Sequence, residues 1–284
     1  MHNEINQRCD RQAEAERLSS QPRPVLHALL LICLLAGVSP AQDPFVVAPR
    51  AYKLDFENDW VRVIRVHYAP LEKIAPHDHP KRQTVFIYLN DGGPVRFKHV
   101  EGYSGDYPAI RPPTKARAFR LASVQGENHE VENLSNLPSD FLQVEFKTET
   151  VDSDSFKGRY LPEPSSAQQP EDYRKTEFEN GQARISRLAC RSKRECGPLE
   201  VERPAILIAL SPLKLRLDSK ATDSSRQSLS LGQTKWLPPG SRLRIGGSVE
   251  SASEMLVIEF KSKPTQPAVG EKRGFQSTSR KSDI

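Results

Sequence analysis

The sequence predicts a mainly β protein made of two barrels in tandem. Three observations carry this: short alternating apolar runs bounded by Pro and Gly, no segment that sustains a helical period, and an internal repeat. Tyr52-Lys-Leu-Asp-Phe-Glu-Asn58, followed by Arg62 and Arg65, recurs as Tyr173-Arg-Lys-Thr-Glu-Phe-Glu-Asn180, followed by Arg184 and Arg187. Pro94-Val-Arg-Phe-Lys98 matches Pro212-Leu-Lys-Leu-Arg216, and Val144-Glu-Phe-Lys147 matches Ile258-Glu-Phe-Lys261. The offset falls from 122 to 118 to 114, which implies the same strands joined by shorter loops in the second copy. A chain of 284 residues has room for two such domains.

The chain opens on a candidate export signal. Residues 25–38 are apolar, uncharged and too short for a membrane span, which needs roughly 20 residues. Ser39-Pro40-Ala41 then offers the small residues of a cleavage site, so 1–41 reads as a secretory signal, with an uncleaved membrane anchor as the alternative. Its N-terminal region is unusually long. Arg8, Arg11, Arg17 and Arg23 balance Glu4, Asp10, Glu14 and Glu16, where a signal normally begins net positive; a translation start further in is one resolution. Export to the periplasm or the extracellular space puts Cys190 and Cys196 in an oxidising compartment, where a disulfide between them is expected.

The first barrel, 42–147, carries the chemistry. His77 and His79 lie two apart in an extended segment and share a face. Gln83 has the same parity and joins them if the backbone stays extended through Pro80-Lys81-Arg82. His129, in Gly126-Glu-Asn-His-Glu-Val-Glu-Asn133, meets them only if the sheet curls back on itself, as a small antiparallel barrel does. Three imidazoles and an amide oxygen form a nitrogen-rich pocket suited to a divalent transition metal: Fe, Mn, Zn, Ni or Cu. Alternation turns Glu130 and Glu132 away from the pocket, and no residue is assigned a catalytic acid or base role. His67 and His99 read as structural residues, and His2 and His27 precede the mature protein.

The pattern Pro76-His-x-His-x-x-x-Gln83, then Gly126-x-x-His129-x-x-x-Asn133, resembles the two sequence motifs of the cupin superfamily. The resemblance implies double-stranded β-helix (jelly-roll) barrels, with His77, His79 and His129 at the three histidine ligands and Gln83 at the usual glutamate. It places Val124 where the second motif usually has proline. A two-barrel arrangement makes the chain similar to an exported bicupin.

Residues 148–170 are rich in Asp, Ser, Pro and Gln and read as a linker that packs along the surface. The second barrel, 171–261, has lost the pocket chemistry: Gly197-Pro-Leu-Glu-Val-Glu-Arg-Pro204 replaces the first histidine motif, and no His follows residue 129. Glu200 and Glu202 read as a solvated strand face, which leaves this barrel a structural or substrate-shaping role. The tail, 262–284, is basic and rich in Ser, Pro, Gln and Gly, and reads as disordered. From residue 261 on, six basic residues oppose two acidic ones and account for most of the net charge of +5, so the barrels are nearly neutral and nucleic acid is not an expected partner. Membrane contact is expected only through the signal or anchor, and exposed sheet edges are compatible with a homodimer.

A neutral ligand set leaves a bound dication's charge uncompensated, which favours a small anionic or enolisable substrate that chelates through oxygen. The expected function is metal-dependent chemistry on such a substrate, with oxygenation as the leading reaction class. A non-catalytic small-molecule or metal binder and a purely structural bicupin are the alternatives.

Overall fold

The computed structural model describes residues 43–99, 109–123, 127–163, 172–191, 195–218, 225–246 and 253–265. The leader, most of the basic tail and Val124 and Gly126 of the second motif lie outside the described residues.

The regular secondary structure of the described residues is almost entirely antiparallel strand. A one-turn helix, α1 (Pro44–Val47), starts at Asp43, whose carboxylate accepts from the Phe45 amide, and rests Phe45 on the first barrel's core. The first barrel has strands β1 (Tyr52–Glu57), β2 (Val61–Tyr68), β3 (Lys73–His79), β4 (Thr84–Tyr88), β5 (Val95–His99), β6 (Ala109–Arg111), β7 (Phe119–Ala122), β8 (Glu127–Asn133) and β9 (Ser139–Phe146). They form two sheets, ordered β1-β2-β9-β4-β7-β10 and β3-β8-β5-β6, where β10 (Tyr160–Leu161) comes from the linker.

The second barrel repeats this order. Its strands are β11 (Tyr173–Glu179), β12 (Ala183–Cys190), β13 (Glu195–Val201), β14 (Ala205–Ala209), β15 (Leu213–Asp218), β16 (Ser225–Leu229), β17 (Thr234–Leu237), β18 (Ser241–Gly246) and β19 (Ser253–Phe260). The sheets run β11-β12-β19-β14-β17 and β13-β18-β15-β16. The irregularities repeat as well. β1 slips against β2 between Leu54 and Phe56, and β11 against β12 between Thr176 and Phe178. The register equates Phe56 with Phe178 but Tyr52 with Arg174, so the two tyrosines that open the repeated sequences are not structural counterparts.

The larger sheets are covered on both faces, so β9 and β19 are buried nearly throughout, Gln143, Glu145, Glu254 and Glu259 included. One face fills its own barrel together with the smaller sheet: Tyr52, Ile64, Tyr68 and Phe141 meet Ile74 and Phe97 in the first, and Val257 meets Leu199, Val201, Leu215 and Leu243 in the second. The other faces meet between the barrels, where Val85, Ile87, Val144 and Phe146 of one sheet join Ile185, Ile206, Ile258 and Phe260 of the other. Trp60 and Trp236 border this layer, with ring centroids 6.5 Å apart.

The linker takes part in the packing. A 3-10 turn (Ser153–Phe156) inserts Phe156, fully buried, into the inter-barrel layer, and β10 pairs with β7. Residues 263–265, expected to be disordered, are hydrogen-bonded to the chain at Lys147 and Glu149. Cys190 and Cys196 form the expected disulfide, which joins β12 to β13.

Because the inter-barrel layer is shared, the barrels should unfold together. Phe146→Ala, which leaves a void beside Phe156 and Phe260, is expected to lower stability by about 3–5 kcal/mol in a single denaturant transition. Two separate transitions, with the second barrel unaffected, would contradict the shared core.

Candidate metal centre

The centre begins with a proline. Pro76 has no amide hydrogen for the ladder, and at Ala75-Pro76 β3 slips against β8: Ile74 faces Val131, and the next pair is His77 with His129. The extra residue reverses the alternation along β3. Ile74 therefore points into the barrel and His77 does too, buried in the core. His79 follows on the same face at regular spacing. β8 is an inner strand of its sheet, between β3 and β5, so His129 is flanked by His77 on one side and by His99 of β5 on the other.

The three predicted histidines converge. Ring centroids are 4.9 Å apart for His77 and His79, 5.0 Å for His77 and His129, and 5.1 Å for His79 and His129. One nitrogen from each lies within 4.8 Å of the others, a grouping that could close on a single ion. His77 Nδ1 lies 2.9 Å from the Ala75 carbonyl, which only accepts. Nδ1 therefore carries the proton, and the Nε2 lone pair faces the centre.

Gln83 does not join them. A tight turn, in which the Arg82 amide donates to the Pro80 carbonyl, breaks the extended backbone between His79 and β4 and shifts the parity by one. Arg82 and Thr84 line the pocket instead. The Phe146 amide donates to the Gln83 carbonyl, which continues the β4–β9 register and sets Gln83 opposite Phe146, on the inter-barrel face with Val85 and Ile87. Its amide is buried there, and neither polar atom has a hydrogen-bond partner among the described residues.

Other polar groups surround the histidines. The Gln143 amide nitrogen lies 3.4 Å from His79 Nδ1 and donates to Glu145 at 3.0 Å. Burial pushes the Glu145 carboxyl above its ordinary range, against the opposing pull of Arg62 and Arg82. The Tyr52 hydroxyl lies 3.0 Å from His77 Nε2 and 2.8 Å from the Tyr68 hydroxyl. Burial is the main reason the Tyr52 phenol is held well above 10, with Tyr68 adding to it. Asn133 of the second motif clips the loop after β8, donating to the Ala69 and Leu137 carbonyls.

Period-two counting missed Tyr52, Gln143 and His99 because each reaches the pocket through strand pairing. His99 had a readable signal: it keeps parity with Phe97, an interior residue. His67, exposed on β2, lies away from the centre, beside Asp140 at 2.6 Å. Glu130 and Glu132 pair with lysines and an arginine on the outer face, and Glu200 likewise pairs with Arg242.

A cavity of about 40 Å³ adjoins His79, His129 and Gln143, room for about three waters. Arg111 enters it, its guanidinium carbon 3.9 Å from the Phe97 ring centre, and makes no ion pair among the described residues. In the second barrel the register replaces His77, His79 and His129 with Leu199, Val201 and Leu243, all buried in its apolar core.

Among solved structures, the chain is similar to procruciferin, an 11S globulin from Brassica napus, with 10% identity over 72% of this chain and 77% of that one, at a TM-score of 0.50. Its fold is that of a bicupin. AerE from Microcystis aeruginosa (14% identity, 74% and 97% coverage, TM-score 0.49) and the Lactobacillus farciminis oxalate decarboxylase formate complex (12%, 75% and 80%, 0.48) also match. No protein-family model and no curated protein matches the sequence. At such identities the likeness establishes the bicupin fold alone, and the chemistry has to be argued from the pocket.

Replacing Gln83 tests its reassignment. Gln83→Met removes an unpaired buried amide at similar volume and should leave metal content unchanged and thermal stability equal or higher. A loss of bound metal in that variant would return Gln83 to the ligand set.

Proposed function

We propose that His77, His79 and His129 hold one divalent transition metal, and that the first barrel acts on a small oxygen-bearing anion that reaches it. The observation that carries this reading is the convergence of three imidazoles, from two strands, beside an internal cavity. The donor set fits such an ion, because three neutral nitrogens suit Fe, Mn, Ni, Cu or Zn and the Ala75 carbonyl fixes the His77 tautomer. A redox-active metal there would supply Lewis acidity and the capacity to activate dioxygen.

The chain's own residues define the substrate. Three neutral histidines leave the charge of a dication uncompensated by the protein ligands, and Arg111, which has no ion pair among the described residues, adds a second cation to the same cavity. Arg82 is partly offset by Glu145 at 3.4 Å. Stacking on Phe97 and Phe86 orients the Arg111 fork, which suits a carboxylate. Tyr68, Phe86 and Phe141 supply apolar walls. Together these groups favour a compact chelating acid, and oxygenation is the reaction class we assign.

Export is part of the proposal, supported by the leader sequence and the Cys190–Cys196 disulfide. N-terminal sequencing of the protein from its natural source should begin near Gln42; a form that keeps residues 1–24 would refute it.

Full-length protein purified without added ions should contain about one transition-metal equivalent per chain. His79→Ala should lose most of that metal while keeping its circular dichroism spectrum. Oxygen uptake across small enediols, phenols and keto acids should then identify a substrate. Metal without turnover on any of them would leave a binding protein, and absence of metal would refute the centre.

A further inference from the structure

We propose that Tyr52 is the fourth protein ligand of this centre, binding the metal as a phenolate; the inference rests on the metal reading above. With Gln83 on the far face of its sheet, β4 supplies no anionic donor, and Thr84 takes the inward position. Tyr52, the first residue of β1, enters from a different strand and is buried. Its ring centre lies 5.1 Å from that of His77 and 5.8 Å from that of His79.

The hydrogen bonds fix which atom carries each proton at this site. His77 Nδ1 gives its proton to the Ala75 carbonyl, so Nε2 can only accept, and the Tyr52 hydroxyl donates to it across 3.0 Å. With that proton committed, Tyr68 must be the donor in the 2.8 Å contact between the two hydroxyls. Two ligand atoms each about 2.1 Å from one ion and at right angles are about 3 Å apart. Tyr52 Oη and His77 Nε2 already have that separation, with a proton shared between them.

Metal binding then exchanges one cation for another. The Tyr52 O–H bond breaks, the oxygen–metal bond forms, and the proton leaves to solvent with no change of oxidation state. The phenolate lowers the charge of the site from +2 to +1, the compensation that a carboxylate at position 83 or 84 would have given, and the remaining positive charge, with Arg111 beside it, still favours an anionic substrate. The Tyr68 hydroxyl remains as donor to the phenolate oxygen. In the second barrel all four positions change together: Leu199, Val201 and Leu243 replace the histidines, and exposed Arg174 stands in register with Tyr52.

The test uses copper(II) added to the metal-free full-length protein. Wild type is expected to bind copper and to develop a visible phenolate-to-copper charge-transfer absorption, with tyrosinate modes in the resonance Raman spectrum. Tyr52→Phe should still bind copper through the histidines but lose the band completely, whereas Tyr68→Phe should keep a band at shifted energy. A band that survives in Tyr52→Phe, or copper bound by wild type without tyrosinate modes, overturns the inference and leaves the three-histidine centre standing. Copper that fails to bind wild type overturns both. The wild-type Raman spectrum decides the question even if Tyr52→Phe does not fold.

Discussion

The slip of β3 against β8 at Ala75-Pro76 is the constraint on which the site depends. Without it, Ile74 and His77 would face opposite sides of their sheet, and an interior Ile74 would put both histidines of β3 in solvent. With it, Ile74 anchors the strand in the barrel core while His77 and His79 point inward toward His129. Gly197-Pro198 occupies the same slip in the second barrel, between Cys196 and Leu199, so the backbone device is common to both copies. Only the side chains that follow it differ.

That difference separates scaffold from chemistry. The second barrel keeps the strand order and both slips, but fills its interior with leucine and valine, joined to the Cys190–Cys196 disulfide. Its larger sheet buries Ile206, Ile258 and Phe260 against Val85, Val144 and Phe146 of the first barrel. The first barrel thus has an apolar layer behind its larger sheet, which stiffens the wall that carries Thr84 and Gln143. Arg117 adds polar attachments across the junction, to Glu254 at 2.8 Å and through its carbonyl to the fully buried Arg187. Arg187 is itself held by Glu177 and Glu254.

Much of this was legible in the sequence. The repeat gave two barrels, and His-x-His with a distant His129 gave the triad, because residues two apart on one strand share a face. Gln83 was misplaced by the same counting. Parity carries across an uninterrupted strand only, and the turn at Pro80-Arg82 ends one. Tyr52, Gln143 and His99 were hidden for another reason: they reach the pocket through pairings with other strands, and spacing along the chain does not reveal which strands are neighbours. The linker's Phe156 lies in the inter-barrel core although its surroundings in sequence are polar.

The most direct test of the account is anomalous X-ray diffraction from crystals of the full-length protein, collected at the absorption edge of whatever metal copurifies. The account predicts one strong peak inside the first barrel, about 2.1 Å from a ring nitrogen of each of His77, His79 and His129. A peak elsewhere, or one that these three residues do not share, would contradict it.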